Sequence, residues 1–417
     1  MTKIIHGPLP LELSGGLDFY KPTMSQLAYE RHPDASVTFT FHNRGNQRIA
    51  DYVNISRLQE KLDLFQRQGW TDTELNYLSN CMSGDREPYF SNDYLAYLKN
   101  STLPPVRVGI DPENDDIAIQ TNGDWPLVTF WETVVMGEVN EAYFEGYMIA
   151  HGINPFDIYE EGDNRLSEKI AVLQDNPGIK FSDFGNRRHF SLRWQKHVDE
   201  RLKNECPGNF LGTSNISLAR QLGITPVGTF AHEVPMVYAA LADKEGRKIR
   251  NSHGEMLDDW FERYGESLSI ALTDTFGSDF FFADFGGERA AAWHALRHDS
   301  GDPIQFGEKV IRFYEQHGID PKTKTIVFSD GLDLSTIVTL YNRFKDKIGV
   351  VFGWGTTLTN DLGLPPLNIV MKATAVDGTS TVKLSDVATK NTGDPATIER
   401  YQHEFQASRS SSPTAAA

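Results

Sequence analysis

Cysteine is nearly absent: the 417-residue chain has two, Cys81 and Cys206. They form no Cys-x-x-Cys and no metal spacing, which suits a reducing cytosol. No apolar run approaches the ~18 residues that a membrane helix needs. The stretch Met1 to Leu13 has one lysine and prolines at 8 and 10, and its apolar run is too broken for a signal peptide. Together these predict a cytoplasmic protein with no membrane partner. Positive charge is short too: 57 acidic residues against 40 Lys and Arg leave a net charge of −17. A field of that sign argues against nucleic acid, although arginines gathered in one pocket can still hold a small anion. Also missing are the Gly-x4-Gly-Lys-Ser/Thr loop, a Gly-x-Gly-x-x-Gly after a strand, the Gly-x-Ser-x-Gly elbow and any solenoid repeat. Phosphate-loop, dinucleotide and α/β-hydrolase readings lose their usual support.

What is present is an ordinary globular composition, 39% hydrophobic and 23% charged, long enough for two to three domains or a barrel with an accessory domain. In the N-terminal third, Val37 to His42 alternates as a strand, while Val53 to Arg67 and Thr73 to Met82 are amphipathic. Val106 to Ile110, Ile117 to Gln120 and Leu127 to Phe130 read as a β-meander, with a turn at Thr121-Asn122-Gly123-Asp124. Thr133 to Met148 reads as a helix leading out of that domain.

From about residue 170 short strands and helices alternate, the pattern of parallel β/α architecture. Seven strand-like runs end in glycine or reactive polar groups: Ile179–Gly185, Phe210–Ser214, Pro226–Thr229, Ser269–Asp274, Ala295–Asp299, Ile326–Asp330 and Val350–Thr356. In a β/α barrel such ends converge on one face; an open doubly wound sheet is the alternative. Leu367 to Thr374 and Val382 to Asp386 then read as a hairpin about Asp377-Gly378-Thr379, returning to the N-terminal domain. Ser408 to Ala417 reads as a frayed tail. The expected division is 1–145, 146–360 and 361–417.

The chemistry concentrates at those ends. His232 follows Gly228-Thr229 at the start of a helical run, and histidine is suited to move protons or accept a phosphoryl group near neutral pH. Arg187 and Arg188 offer donor forks for phosphate or carboxylate, yet equally common are surface arginines at a helix start. Gly353-Trp354-Gly355-Thr356 lets amides approach an anion. Arg297-His298-Asp299-Ser300-Gly301-Asp302 packs a cation, carboxylates and a hydroxyl into six residues, and Ser329-Asp330 offers a carboxylate for sugar hydroxyls or a metal.

Taken in order, Asp18-x-Tyr20-Lys21, Phe181-Ser182-Asp183-Phe184-Gly185-x-Arg187-Arg188, Leu211-Gly212-Thr213-Ser214-Asn215, Gly228-Thr229-x-Ala231-His232-Glu233, Leu272-Thr273-Asp274-Thr275, Arg297-x-Asp299-Ser300-Gly301-Asp302, Phe328-Ser329-Asp330 and Phe352-Gly353-x-Gly355-Thr356 resemble the nicotinate phosphoribosyltransferase family. Each motif is weak alone; the ordered set is specific. The resemblance implies an irregular β/α, TIM-like barrel joined to an α/β domain built from both chain ends, the type II phosphoribosyltransferase fold. It implies a homodimer with shared active sites.

The implied reaction joins nicotinate to phosphoribosyl pyrophosphate for NAD biosynthesis. ATP is a co-substrate coupled through a phosphohistidine at His232, and Mg2+ travels with ATP and pyrophosphate, no residue being assigned as its ligand. His232, Asp299 and Arg297 are the implied catalytic set. Arg187 would stabilise leaving phosphates, Asp299 or Asp330 the ribose, and Gly353, Gly355 and Thr356 the 5′-phosphate. The base would lie on Phe184 and on Tyr20 of the partner subunit, its carboxylate facing Arg297 and Ser214. Thr229, Asp274, Ser300 and Ser329 complete the implied contacts. Another sugar-phosphate barrel enzyme, or a nicotinamide-using phosphoribosyltransferase, is the alternative.

Overall fold

The computed structural model describes residues 11–406. The expected tail at Ser408–Ala417, and most of the Met1–Leu13 stretch, lie outside them. Contacts group the chain into two units. The first is Met1–Thr229, Gly331–Arg343 and Val350–Lys372; the second is Phe230–Asp330, Phe344–Gly349 and Ala373–Ala417. In chain order the strands are β1 (Ser36–Asn43), β2 (Val106–Ile110), β3 (Ile117–Asp124), β4 (Phe181–Asp183), β5 (Phe210–Thr213) and β6 (Ile270–Leu272). They continue with β7 (Ala295–His298), β8 (Thr325–Phe328), β9 (Gly349–Trp354), β10 (Ile369–Val376) and β11 (Thr379–Ser380).

In the first unit β1 and β2 pair antiparallel with β3 on its two sides. The helix Ile55–Gln68 buries Leu58, Leu62 and Phe65, a single stripe at helical spacing. Its Gln59 lies against β2: Nε2 donates to the Val106 carbonyl at 3.0 Å and Oε1 accepts from the Val108 amide at 2.8 Å. That side chain thereby satisfies backbone groups that an edge strand would leave open. A second sheet of this unit is parallel, β4 pairing with β5 and with β9.

The second unit carries a parallel row in which β7 pairs with β6 and with β8. Its core gathers Phe276, Phe280, Val382, Tyr401 and Phe405. The rings of Phe276 and Phe405 stack with centroids 4.0 Å apart, an arrangement that fixes the C-terminal helix Pro395–Gln406 against the β6 loop. In both units the parallel strands alternate with helices, and the polar sequence motifs sit at the strands' C-terminal ends.

Three local expectations are corrected. The Thr121–Asp124 turn is absent, because β3 continues through it and pairs Gly123 with Val37 and Asp124 with Ser36. Gly123 is needed for packing rather than turning, since a Cβ there would overlap Pro104. Leu127–Phe130 is no strand: Trp125–Val128 is a helical turn with Pro126 near its start, and a four-residue apolar run has no period to reveal this. Pro226–Thr229 makes only an isolated bridge, Pro226 with Thr213.

The C-terminal hairpin forms, turning on Asp377 (φ 47°) and Gly378 (φ 84°), the left-handed pair of a two-residue turn. Its second strand stops at Ser380, however. Val382, Lys383 and Leu384 are all buried, so the segment lacks the alternation of a half-exposed strand.

Candidate functional site

The second unit centres on His232. It precedes the helix Glu233–Lys244, and its side chain is mostly buried. Nδ1 lies 2.9 Å from the Thr275 hydroxyl and Nε2 lies 3.0 Å from Asp299 Oδ2. Lys383 Nζ stands 2.9 Å from the same Nε2 and 3.3 Å from Asp274 Oδ2. Two neutral tautomers fit this frame. With the proton on Nε2 the ring donates to Asp299 and Thr275 donates to Nδ1. With the proton on Nδ1 the ring donates to Thr275, and Nε2 accepts from Lys383. Thr275 serves both, because a hydroxyl donates and accepts.

The electrostatics favour the neutral ring. Burial, and then the Lys383 ammonium, hold His232 below its usual range against the pull of Asp274 and Asp299. Burial would raise the Asp299 carboxyl, but Arg297, His232 and Lys383 hold it well below the usual range. Asp274 is lowered in the same way: burial opposes, and His232 and Lys383 prevail. Arg297 donates to Asp299 Oδ1 at 3.0 Å and to Ser329 Oγ at 2.8 Å. Ser300 donates to Asp274 Oδ2 at 2.6 Å. A compact network therefore joins His232, Asp274, Arg297, Asp299, Ser300 and Ser329. Asp330 stands aside from it, paired with Lys390 at 2.7 Å.

The first unit carries the other predicted residues. Arg187 reaches Glu132 Oε1 at 3.1 Å, lies 3.8 Å from Asp18 Oδ2, and rests over the Tyr20 ring at 5.8 Å. Lys21, 0% exposed, holds the other Glu132 oxygen at 2.5 Å. Burial would raise Glu132, but these two cations lower it, whereas burial keeps Asp18 above its ordinary range despite Arg187. Ser214 is buried beside Asp18, and its carbonyl accepts from the Phe19 amide at 2.7 Å. Phe184 is placed by its amide, which donates to the Trp354 carbonyl at 2.8 Å, and by Gly353, where a Cβ would overlap its ring. Gly355 and Thr356 open the turn Thr356–Thr359, whose Thr357 carbonyl accepts from Lys169 at 2.8 Å. Thr229 is buried, its carbonyl accepting from Thr23 Oγ1 at 3.1 Å.

Sequence reasoning assigned no role to Thr275, Lys383 or Glu132. Thr275 and Lys383 stand within or beside the recognised motifs, yet a threonine after Asp274 and a lysine in a strand-like run look unremarkable. Only folding brings them to one imidazole.

Similarity to known proteins agrees with this layout. The sequence profile of the nicotinate phosphoribosyltransferase (NAPRTase) family matches residues 179–409, and that of the NAPRTase N-terminal domain matches residues 17–140. Nicotinate phosphoribosyltransferase from Chromobacterium violaceum is 39% identical over 381 residues, 88% of this chain and 90% of that protein. The nicotinate phosphoribosyltransferase structure from Vibrio cholerae superposes with a TM-score of 0.87 at 30% identity, covering 97% of this chain and 96% of that one. The one from Porphyromonas gingivalis gives 0.84 at 30% identity, covering 95% and 99%. The expected type II phosphoribosyltransferase fold class stands with these neighbours. The helix, strand-end and sequence correspondences lead to one assignment: the chain belongs to the nicotinate phosphoribosyltransferase family.

Proposed function

We propose that the protein joins nicotinate to phosphoribosyl pyrophosphate, giving nicotinate mononucleotide and pyrophosphate, with ATP turnover coupled through phosphorylation of His232. The observation that carries the coupling is the His232 frame. A neutral imidazole is held at both nitrogens, with Lys383 and Arg297 beside it to meet phosphate charge. In the phosphorylation step an imidazole nitrogen bonds to the γ-phosphorus, the bond to ADP breaks, and water later releases the phosphate. In the transfer step the sugar C1–O bond to pyrophosphate breaks as the nicotinate ring nitrogen bonds to C1. The transition state has oxocarbenium character and expels a polyanion, so cations aimed at the leaving group lower its energy.

Within this reading Arg187, held by Glu132 and Asp18, supports the leaving phosphates. Gly353, Gly355 and Thr356 take the 5′-phosphate, Asp299 or Asp330 the ribose, and Phe184 the base. Tyr20 of the partner subunit completes the base site in a homodimer, and Arg297 and Ser214 meet the nicotinate carboxylate. Thr229, Asp274, Ser300 and Ser329 are further substrate contacts. The Asp274 Oδ1 atom is buried and lacks a hydrogen-bond partner, and with Asp299 and His232 it offers ligand atoms within 4.8 Å of one another. Oxygen donors of this kind suit magnesium. Asp274 and Asp299 would hold the ion, which would neutralise charge on the phosphates of ATP and pyrophosphate.

The division at 145 and 360 belongs to the same reading, and the family profile ending at residue 140 supports its first boundary. A cytoplasmic location fits too; among the described residues no helix is long and apolar enough to cross a membrane. Incubation of pure protein with nicotinate, phosphoribosyl pyrophosphate, Mg2+ and ATP, with pyrophosphate release followed, tests the proposal. Release that needs nicotinate and rises with ATP is expected. Turnover of nicotinamide at the same rate, or none of nicotinate, would overturn it.

A further inference from the structure

Below the Phe184 loop lie two carboxyls that none of these roles uses. Asp183 ends β4, Asp199 sits on the helix Leu192–Glu205, and both are 0% exposed. Asp183 is amply satisfied. Its Oδ1 accepts from the Gly185 amide at 2.7 Å, and its Oδ2 from Gln195 Nε2 at 2.6 Å and Thr213 Oγ1 at 2.9 Å. Asp199 is the opposite: neither oxygen meets a donor, and its polar neighbours are Asp183 and Thr213. The Thr213 proton is already directed at Asp183.

No cation offsets this pair among the described residues. Asp18 faces Asp183, and Glu200 lies near Asp199, so both neighbours add negative charge. His189 contacts Gln195 Oε1 at 2.9 Å, and burial holds its ring in the neutral form. Arg187 turns to Glu132 and Asp18 instead. Two buried carboxylates in contact without a cation cannot both ionise, whereas a proton on one removes the repulsion and creates the missing donor.

We infer that Asp183 and Asp199 share one proton and act as a positioning pair for the base-binding strand ends, Asp199 donating and Asp183 accepting. The O–H stays on Asp199, and no bond is broken. Asp183 has lone pairs for this donor as well as its three others. Through those bonds the pair fixes the Gly185 amide next to Phe184 and the Thr213 hydroxyl next to Ser214. The Asp183 carbonyl also accepts from the Ser214 amide at 2.8 Å. Burial raises Asp183 to about 6 and holds Asp199 well above the usual carboxylate range, both in the direction of a retained proton. The positioning half of the inference rests on the proposed base site; the shared proton does not.

Infrared difference spectroscopy of the full chain, wild type minus Asp199→Asn, tests the proton independently of activity. A carboxylic-acid C=O band at pH 7 that is missing from the variant is expected; its absence from the wild type overturns the inference. Asp183→Asn serves if Asp199→Asn fails to fold: the band should persist but shift, since its acceptor has changed, and an unmoved band overturns the pairing. For positioning, Asp199→Asn keeps a donor that cannot titrate. Its KM for nicotinate should stay within about twofold of wild type at pH 7, and the alkaline fall in wild-type kcat/KM should be missing. Asp183→Asn, which turns an amide towards existing donors, should raise KM for nicotinate roughly tenfold with a smaller change in kcat. Identical alkaline limbs in wild type and Asp199→Asn would overturn the positioning role.

Discussion

At the residue scale, His232 is set up by neighbours of two kinds. Thr275 is a neutral partner able to follow the ring's proton, while Asp299 and Lys383 are fixed charges at the other nitrogen. Removing the hydroxyl in Thr275→Val leaves one nitrogen without a partner, which costs about 1–3 kcal/mol. Single-turnover phosphorylation by Mg·ATP should slow by about ten- to a hundredfold, and His232→Ala should give no phosphohistidine at all; an unchanged rate in the valine variant would remove Thr275 from the site. The pH dependence has a definite sign. Because the folded His232 is held below its ordinary value of ~6.5, the neutral nucleophile persists as pH falls through that value, and phosphorylation should decline only at lower pH. A decline centred at or above pH ~6.5 would contradict the burial argument. Ser214 offers the test of base choice. It is buried beside Asp18, so Ser214→Asp would put a second carboxyl next to one that burial already keeps above its usual range. Preference for nicotinate over nicotinamide, measured as the ratio of kcat/KM, should fall by roughly ten- to a hundredfold in the variant.

At the scale of elements, the functional groups come from turns that follow short parallel strands; Gly301 (φ 84°) and Gly331 (φ 61°) are required there by their backbone, whereas Gly353 is required by a neighbouring side chain. Gly353 pairs with Ser182 across the β4 and β9 ladder, and a Cβ would run into the Phe184 ring. Gly355 is more tolerant: its nearest contact is the Phe184 carbonyl oxygen at 3.5 Å. Gly353→Ala should therefore raise KM for nicotinate about tenfold or more by displacing the ring, and Gly355→Ala should affect it less. The reverse order would show that the glycines act through the phosphate turn alone. The strands of this region could be read from sequence because each is a short apolar run closed by polar or small residues. Helices were read to within a few residues where the apolar stripe was long, as in Ile55–Gln68, expected over Val53 to Arg67. Two of the failures were short and uniformly buried. Trp125–Val128 and Val382–Leu384 hide every side chain, so neither a period of two nor one of 3.6 marks them. The same blindness concealed Lys383. A lysine normally signals solvent, and only the Asp274 and Asp299 carboxylates beside it explain its burial.

At the scale of the whole molecule, a chain of net charge −17 handles anionic substrates by collecting cations in two places. Arg297 and Lys383 serve the second unit, Arg187 and Lys21 the first, and each is paired with carboxylates that fix its direction. The first unit also presents Tyr20 with Arg187 on its ring face, and the family resemblance assigns this tyrosine to a neighbouring subunit's base site. That assignment has a consequence no single-chain site shares. If Tyr20 of one subunit works with Arg297 of the other, Tyr20→Ala and Arg297→Ala homodimers are both impaired. Exchange of their subunits makes a heterodimer with one doubly altered site and one intact site. Random exchange puts half the molecules in that form, so about a quarter of wild-type activity should return on mixing, at a rate set by subunit exchange. Assay after co-expression or denaturant-assisted exchange, with sedimentation at the assay concentration, reads the outcome. Full activity of a sedimenting monomer, or mixtures no more active than their parents, would place the whole base site within one chain.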